Sequence, residues 1–195
     1  MRRQQAMQTT STESLNPQKQ KLRLLTRGAV VTAALCVLAP FSIPLAGMVP
    51  ISLATFVLYL SVYILDWKLA SLSCLVYLLL GTVGMPVFSG FSGGLGKLLG
   101  PTGGYLIGYL PMVLIAGYIL SKTRSRGIHF LAFVLGTAVC YAFGTAWYCF
   151  AMATPLPAAM AACVLPFIPM DLVKIIVAIL IGPLLQQKLA AAIKN

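Results

Sequence analysis

Acidic side chains are nearly missing from this sequence: its 195 residues carry three, Glu13, Asp66 and Asp171. Charge of either sign is scarce, at 9% of residues against roughly 25% in an ordinary soluble domain. So little polar surface cannot wet a globule of this size. With 59% hydrophobic residues and a mean hydropathy of +0.94, lipid has to be the solvent. Histidine occurs once, as His129, shortly after Lys122, Arg124 and Arg126 at a helix start, which reads as an interfacial residue. The five cysteines stand singly, with no C-x-x-C and no histidine neighbour, and read as small apolar packing residues. A haem or zinc site has no raw material, and neither metal nor resident cofactor is expected.

Two further absences narrow the function. The net charge of +11 suggests nucleic acid at first sight. Its cations, however, cluster between long apolar runs and lack the interleaved aromatics of a base-stacking surface. No nucleotide motif is present either. The pair Gly96-Lys97 has Phe91 where a P-loop needs glycine and Leu98 where it needs Ser or Thr. Any ATP must therefore be handled by another chain.

What is present is a series of apolar runs at about Leu24–Phe41, Ile51–Leu65, Leu69–Val83, Tyr105–Leu120, Ile128–Tyr148 and Phe167–Leu185. These predict an all-α, polytopic membrane protein with six transmembrane helices. Residues 1–23 are expected to be a disordered, basic, cytosolic tail, and 24–195 one membrane domain. Several runs are nearer 15 than the roughly 20 residues that cross a bilayer squarely. Such shortness is tolerated where helices line a protein-enclosed cavity. Prolines mark the breaks: Pro40, Pro44, Pro50, Pro86, Pro155, Pro157, Pro166 and Pro169. With both termini cytoplasmic, twelve of the fourteen Lys and Arg residues fall inside, as the positive-inside rule asks. Lys97 and Lys174 are left over.

Lys97 belongs to an outer segment, 84–104, that is both glycine-rich and apolar. Gly90, Gly93 and Gly94 alternate there with Phe88, Phe91, Leu95, Leu98 and Leu99. One reading is a flexible loop without a role, but such linkers are usually polar. The other is a lid that folds over a ligand and offers backbone amides to it. Lys174 lies in the last span, three residues after Asp171 and so on the same helix face. Its depth is roughly 10 Å below the outer helix end, where a charge costs at least ~2.5–3.5 kcal/mol. Mutual neutralisation by a salt bridge is one explanation. A solute path that needs both charges is the other, because a sequence selected for stability alone could make both residues apolar at little loss. Small-x-x-x-small pairs occur at Ala29/Ala33 and Gly104/Gly108. The first pair allows another helix to approach, and the second reads as internal packing.

Taken together, Gly84-Met85-Pro86-Val87-Phe88, the glycine lid and Leu99-Gly100-Pro101-Thr102-Gly103-Gly104-Tyr105-Leu106-Ile107-Gly108 closely resemble the BioY biotin transporters. These are the substrate-capture (S) components of energy-coupling factor transporters. The segment Val49-Pro50-Ile51-Ser52-Leu53 and the late Asp171-x-x-Lys174 are also similar to that family, and the resemblance spans roughly Gly28 to Leu185. Many members carry Gln after the Pro-Ile-(Thr/Ser)-Leu segment, where this chain has Ala54. The resemblance implies a six-helix S-component fold in a bacterial-type plasma membrane that binds biotin from outside. Some relatives transport alone. Most work with a coupling membrane subunit and two ATPase subunits, and topple in the membrane to release their cargo. By resemblance, the Ala29/Ala33 face docks on the coupling subunit.

Biotin's chemistry suits these residues. Asp171 can accept the ureido N–H bonds, while Lys174 or Lys97 pairs with the carboxylate or carbonyl. Phe88, Phe91 and Tyr105 are expected to cover the ring and chain. Which end of biotin meets Asp171 stays open at this level. A rival in the same class is an S component for another small vitamin. A rival from a different class is an intramembrane enzyme using Asp171 and Lys174, disfavoured by the single histidine and the lack of a second buried carboxylate. A passive channel or structural subunit would leave the charge cost in the last helix unexplained.

Overall fold

The computed structural model describes residues 17–43 and 49–194. Among the described residues the chain forms eight helices and one two-stranded ribbon. Helix α1 spans Pro17–Leu38, the ribbon pairs β1 (Ser42–Ile43) with β2 (Ile51–Ser52), and α2 and α3 follow at Ala54–Ile64 and Trp67–Thr82. Then come α4 (Leu95–Leu99), α5 (Gly103–Lys122), α6 (Arg126–Met152), α7 (Leu156–Cys163) and α8 (Phe167–Lys194). The six longer helices coincide with the six apolar runs. Three of them, α5, α6 and α8, are long and apolar enough to cross a membrane, while α2 and α3 are shorter apolar helices.

Three details depart from the sequence expectation. First, α1 begins at Pro17, ahead of Leu24, so residues 17–23 are helical rather than disordered. The tail up to residue 16 and positions 44–48, with Pro44, lie outside the described residues. Second, the run at Ile51–Leu65 is not one helix. Ile51 and Ser52 are a strand, antiparallel to β1 in the register Ser42↔Ser52 and Ile43↔Ile51. Ser52 turns the chain into α2: its hydroxyl donates to Ala39 O at 2.7 Å and accepts from Ala54 N at 3.0 Å. The remaining 11 residues of α2 rise only about 16 Å, roughly half the ~30 Å hydrocarbon layer. Third, α4 and α7 are extra short helices, in the glycine segment and the 5–6 connection. Asp66, one of the few acids, caps α3 by accepting from Leu69 N at 3.2 Å.

Lipid offers no hydrophobic drive for one helix to join another, so packing and hydrogen bonds must hold the bundle. The α5–α6 pair is the most intimate. A Cβ on Gly108 would lie 3.1 Å from Cys140, and one on Gly136 2.9 Å from Met112 O. Gly104 sits against Trp147, and Gly144 against the Tyr105 ring, closely enough that any Cβ would overlap them. On the other side α1 rests on α3 through Gly28, whose carbonyl accepts from Thr32 at 2.9 Å and Ser73 at 3.3 Å.

Five tyrosines tie separate elements together. Tyr59 on α2 reaches Thr137 on α6 at 2.6 Å, and Tyr63 on α2 reaches His129 on α6 at 3.1 Å. Tyr77 on α3 donates to Val87 O at 3.1 Å, and Tyr105 on α5 to Cys163 O at 2.8 Å. Tyr141 on α6 donates to Asp171 on α8 at 2.7 Å. His129 is thus buried, bonded at one ring nitrogen to Tyr63 and at the other to Thr123 O at 3.0 Å.

Replacing Gly144 or Gly104 with alanine drives a methyl into Tyr105 or Trp147. Each change should cost about 1–3 kcal/mol and lower the thermal midpoint in detergent. Gly96→Ala, at an exposed site with nothing within 4 Å of the new carbon, should leave that midpoint unchanged.

Candidate functional site

The upper part of α8 carries both unusual charges inside the protein. Asp171 is 4% exposed and Lys174 8%, and their side chains meet at 3.0 Å. Neither is left to the other alone. The Lys174 ammonium also donates to Ser52 O at 2.8 Å and Thr55 Oγ1 at 3.0 Å. Thr55 in turn donates to Asp171 Oδ1 at 3.3 Å, and Tyr141 to Asp171 Oδ2 at 2.7 Å. Residues from β2, α2, α6 and α8 therefore converge on one ion pair. Bonds of this number are what a charge pair removed from water requires.

Beside the pair opens a small cavity. Its apolar walls are Val49, Pro50, Met112 and Phe167; its polar walls include Ser52, Thr55, Tyr105, Tyr109, Thr137, Tyr141, Asp171 and Lys174. Most of these polar groups already have partners in the protein. Thr137 donates to Phe133 O at 2.7 Å. The Cys140 thiol, also in the wall, points at Tyr105 O at 3.6 Å.

The structure brings together three of the residues singled out from the sequence, Asp171, Lys174 and Tyr105, and places the others elsewhere. Phe88 is fully buried, stacked edge-on to Tyr77 at 5.6 Å and seated on Gly81. Phe91 is exposed, in a left-handed conformation (φ 54), and its ring meets Phe41 at 5.4 Å. Neither lines the cavity; Met112 and Phe167 supply its apolar surface.

Two of the glycine amides of segment 84–104 are committed as well. Gly90 N donates to Pro40 O at 2.9 Å and Gly94 N to Gly81 O at 2.7 Å. Gly94 needs its glycine for a φ of +91, while Gly93 needs one because a Cβ would strike Met85 O. The segment is therefore fastened to the ends of α1 and α3. Lys97, on α4, is half-buried and outside the cavity wall; burial lowers its pKa below the ordinary lysine value, and it makes no ion pair among the described residues. Ala29 and Ala33 are exposed on α1, away from the Gly28, Val31, Thr32 and Leu35 face that packs inward.

Residues 7–191 match the BioY family. The chain belongs to it. Among curated proteins it is 37% identical over 161 residues to "Biotin transporter BioY" of Thermotoga maritima, covering 83% of this chain and 94% of that protein. It is 41% identical over 140 residues to "Probable biotin transporter BioY" of Pyrococcus horikoshii, covering 72% and 82%. Among solved structures it is similar to one titled "Crystal structure at 2.1 A of the S-component for biotin from an ECF-type ABC transporter". That similarity has a TM-score of 0.82 at 28% identity and covers 89% of this chain and 95% of that one.

Within this BioY chain, Ala54 is buried and does not line the cavity; its neighbour Thr55 reaches the ion pair instead. Several cavity residues escaped the sequence reading: Ser52 as a carbonyl, Thr55, Tyr109, Thr137 and Tyr141. A usable signal was present. Tyr105, Tyr109 and Met112 recur on one face of α5, and Thr137 and Tyr141 on one face of α6, at helical spacing within otherwise apolar helices.

Removing one charge strands the other. Lys174→Ala should cost about 3–5 kcal/mol in a detergent thermal melt. The double change Asp171→Asn with Lys174→Met should recover most of that loss, because no buried charge remains.

Proposed function

We propose that this chain captures biotin at the outer face of a bacterial plasma membrane and hands it inward as the S component of an energy-coupling factor transporter. It binds and translocates, with no covalent step of its own. The observation that carries this reading is the cavity beside Asp171 and Lys174, in a chain whose relatives bear the name biotin transporter. Biotin matches such walls. Its bicyclic ring and aliphatic chain suit Met112, Phe167 and the tyrosine faces, its ureido N–H groups suit Asp171, and its carboxylate suits a cation, Lys174 or Lys97.

In this reading the chain crosses the membrane six times with both ends cytoplasmic, which keeps its Lys and Arg clusters inside. The short α2 completes its crossing with the extended segment that precedes it, tolerable because Val49, Pro50 and Ser52 border the cavity rather than lipid. Segment 84–104 closes the outer end. The partners are a coupling membrane subunit, approached through exposed Ala29 and Ala33, and two ATPase subunits that supply the energy.

Purified protein should bind labelled biotin saturably and without competition from thiamine or riboflavin. The charge-free double variant, Asp171→Asn with Lys174→Met, should bind about 100-fold more weakly. Absence of biotin binding, or preference for another vitamin, would defeat the reading. Separately, Ala29→Leu with Ala33→Leu should leave biotin affinity unchanged while abolishing co-purification with the coupling subunit and uptake in cells. Normal uptake by that variant would place the docking face elsewhere.

A further inference from the structure

We propose that the ring pair Trp67 and Tyr118, flanked by Lys68 and Lys122, binds the headgroup of an anionic phospholipid. The proposal is independent of which solute the cavity takes.

Charge gathers at one end of the bundle. Gly28 of α1 lies against Leu69 at the start of α3, and the Trp67 ring meets Tyr118 near the end of α5. Tyr63, near the end of α2, bonds His129 at the start of α6. These contacts bring parts of five helices to one level. Lys21, Arg23, Lys68, Lys122, Arg124 and Arg126 therefore share that end, and all six are exposed. Among the described residues one acid stands with them, Asp66, which accepts from Leu69 N at 3.2 Å. The only other acid among the described residues, Asp171, faces the cavity.

Two of these cations are organised by aromatic rings. Trp67 and Tyr118 pack edge to face, with ring centroids 6.0 Å apart and planes at 89°. The Lys68 ammonium lies 5.4 Å from the Trp67 centroid, and the Lys122 ammonium 5.5 Å from that of Tyr118. A cation over an aromatic face is held by the ring's quadrupole, so both ammoniums stay at the rim of one ring pair. The pair is fixed from below, because a Cβ on Gly117 would lie 2.8 Å from Trp67 Cβ. Glycine there lets α5 approach the start of α3. Among the described residues neither lysine has a salt bridge, and neither the Trp67 indole N–H nor the Tyr118 hydroxyl has a hydrogen bond.

Four unengaged donors, two of them charged, suit a phosphodiester. The surroundings assign that phosphate to a lipid. From Lys68 the exposed residues of α3 continue as Leu72, Leu75, Val76 and Leu79, an apolar stripe at helical spacing along which acyl chains can lie. A soluble phosphate or an acidic protein segment has no use for such a stripe. Tryptophan and tyrosine are enriched at headgroup level, and basic clusters at a membrane face attract anionic lipid. In the orientation proposed above, this end meets the cytoplasmic leaflet.

The test places the full chain in phosphatidylcholine nanodiscs containing a minority of phosphatidylglycerol, with bromine on the acyl chains of one lipid or the other. Bromine quenches nearby tryptophan, so comparing the two mixtures reports which lipid lies beside Trp67. Trp147, at the far end of α6, adds a background common to all variants. The parent should favour phosphatidylglycerol about 25-fold at this position, roughly fivefold for each of the two cations. Lys68→Gln with Lys122→Gln should abolish that preference. Lys21→Gln with Arg23→Gln removes the same charge from the same end and should retain it. All four positions are exposed, so both double variants should melt with the parent. Excess glycerol phosphate in solution should not displace the lipid.

A parent without preference overturns the proposal. So does an equal loss in the two double variants, which would show a diffuse field and no defined site. Displacement by glycerol phosphate would show that the anion alone is read, and overturns the lipid as occupant. Unchanged preference in the Lys68/Lys122 variant, with co-purification of the coupling subunit lost, would assign the surface to a protein and overturn it equally.

Discussion

The structure depends on keeping a carboxylate and an ammonium inside hydrocarbon. Their mutual attraction does not repay the loss of water. What makes the arrangement stable is the set of neutral groups brought to them: Ser52 O, the Thr55 hydroxyl and the Tyr141 hydroxyl. Each comes from a different element, so satisfying the charges also fixes where β2, α2 and α6 stand relative to α8. This explains why irregular backbone at 49–53 is tolerable in a membrane domain. Its carbonyl at Ser52 is a ligand of the buried ammonium, and its residues border the cavity instead of lipid.

Around that point the bundle is held by means suited to an apolar solvent. Since lipid does not push helices together, close backbone approach at glycine gives α5 and α6 their contact area. Tyrosine hydroxyls span the wider gaps, from α2 to α6, from α3 to Val87, and from α5 to Cys163. Segment 84–104 is part of this framework. Phe88 packs over Gly81 while Gly94 donates to the Gly81 carbonyl, so one small residue at the end of α3 receives both a ring and a hydrogen bond. Tyr77 holds the same stretch through Val87 O. Displacing segment 84–104 means breaking these contacts as a group.

Much of this was legible from sequence, and the failures have physical causes. Long apolar runs located six helices because hydropathy integrates over many residues. It missed β1, β2, α4 and α7 because elements of two to eight residues carry too little pattern. Asp171 and Lys174 stood out because charge in an apolar run is conspicuous. Thr55, Tyr109 and Tyr141 did not, since a hydroxyl barely changes the hydropathy of a helix; only their position on a shared face distinguishes them. Phe88 and Phe91 suggest a cover for the ligand because they are apolar residues of the glycine-rich segment. Proximity in sequence cannot say that one ring fills the notch at Gly81 and the other lies against Phe41.

A fully paired network beside a cavity has a consequence for capture and release. If the ligand's charged end had to reach Lys174, binding would require dismantling bonds that hold four elements in place, and the empty protein would differ greatly from the loaded one. A ligand that binds only through groups the framework leaves unengaged enters and departs with the ion pair intact. Sites built around buried hydrogen-bonding groups discriminate most strongly against analogues that lack the matching group. In this chain the charges set the architecture around the cavity.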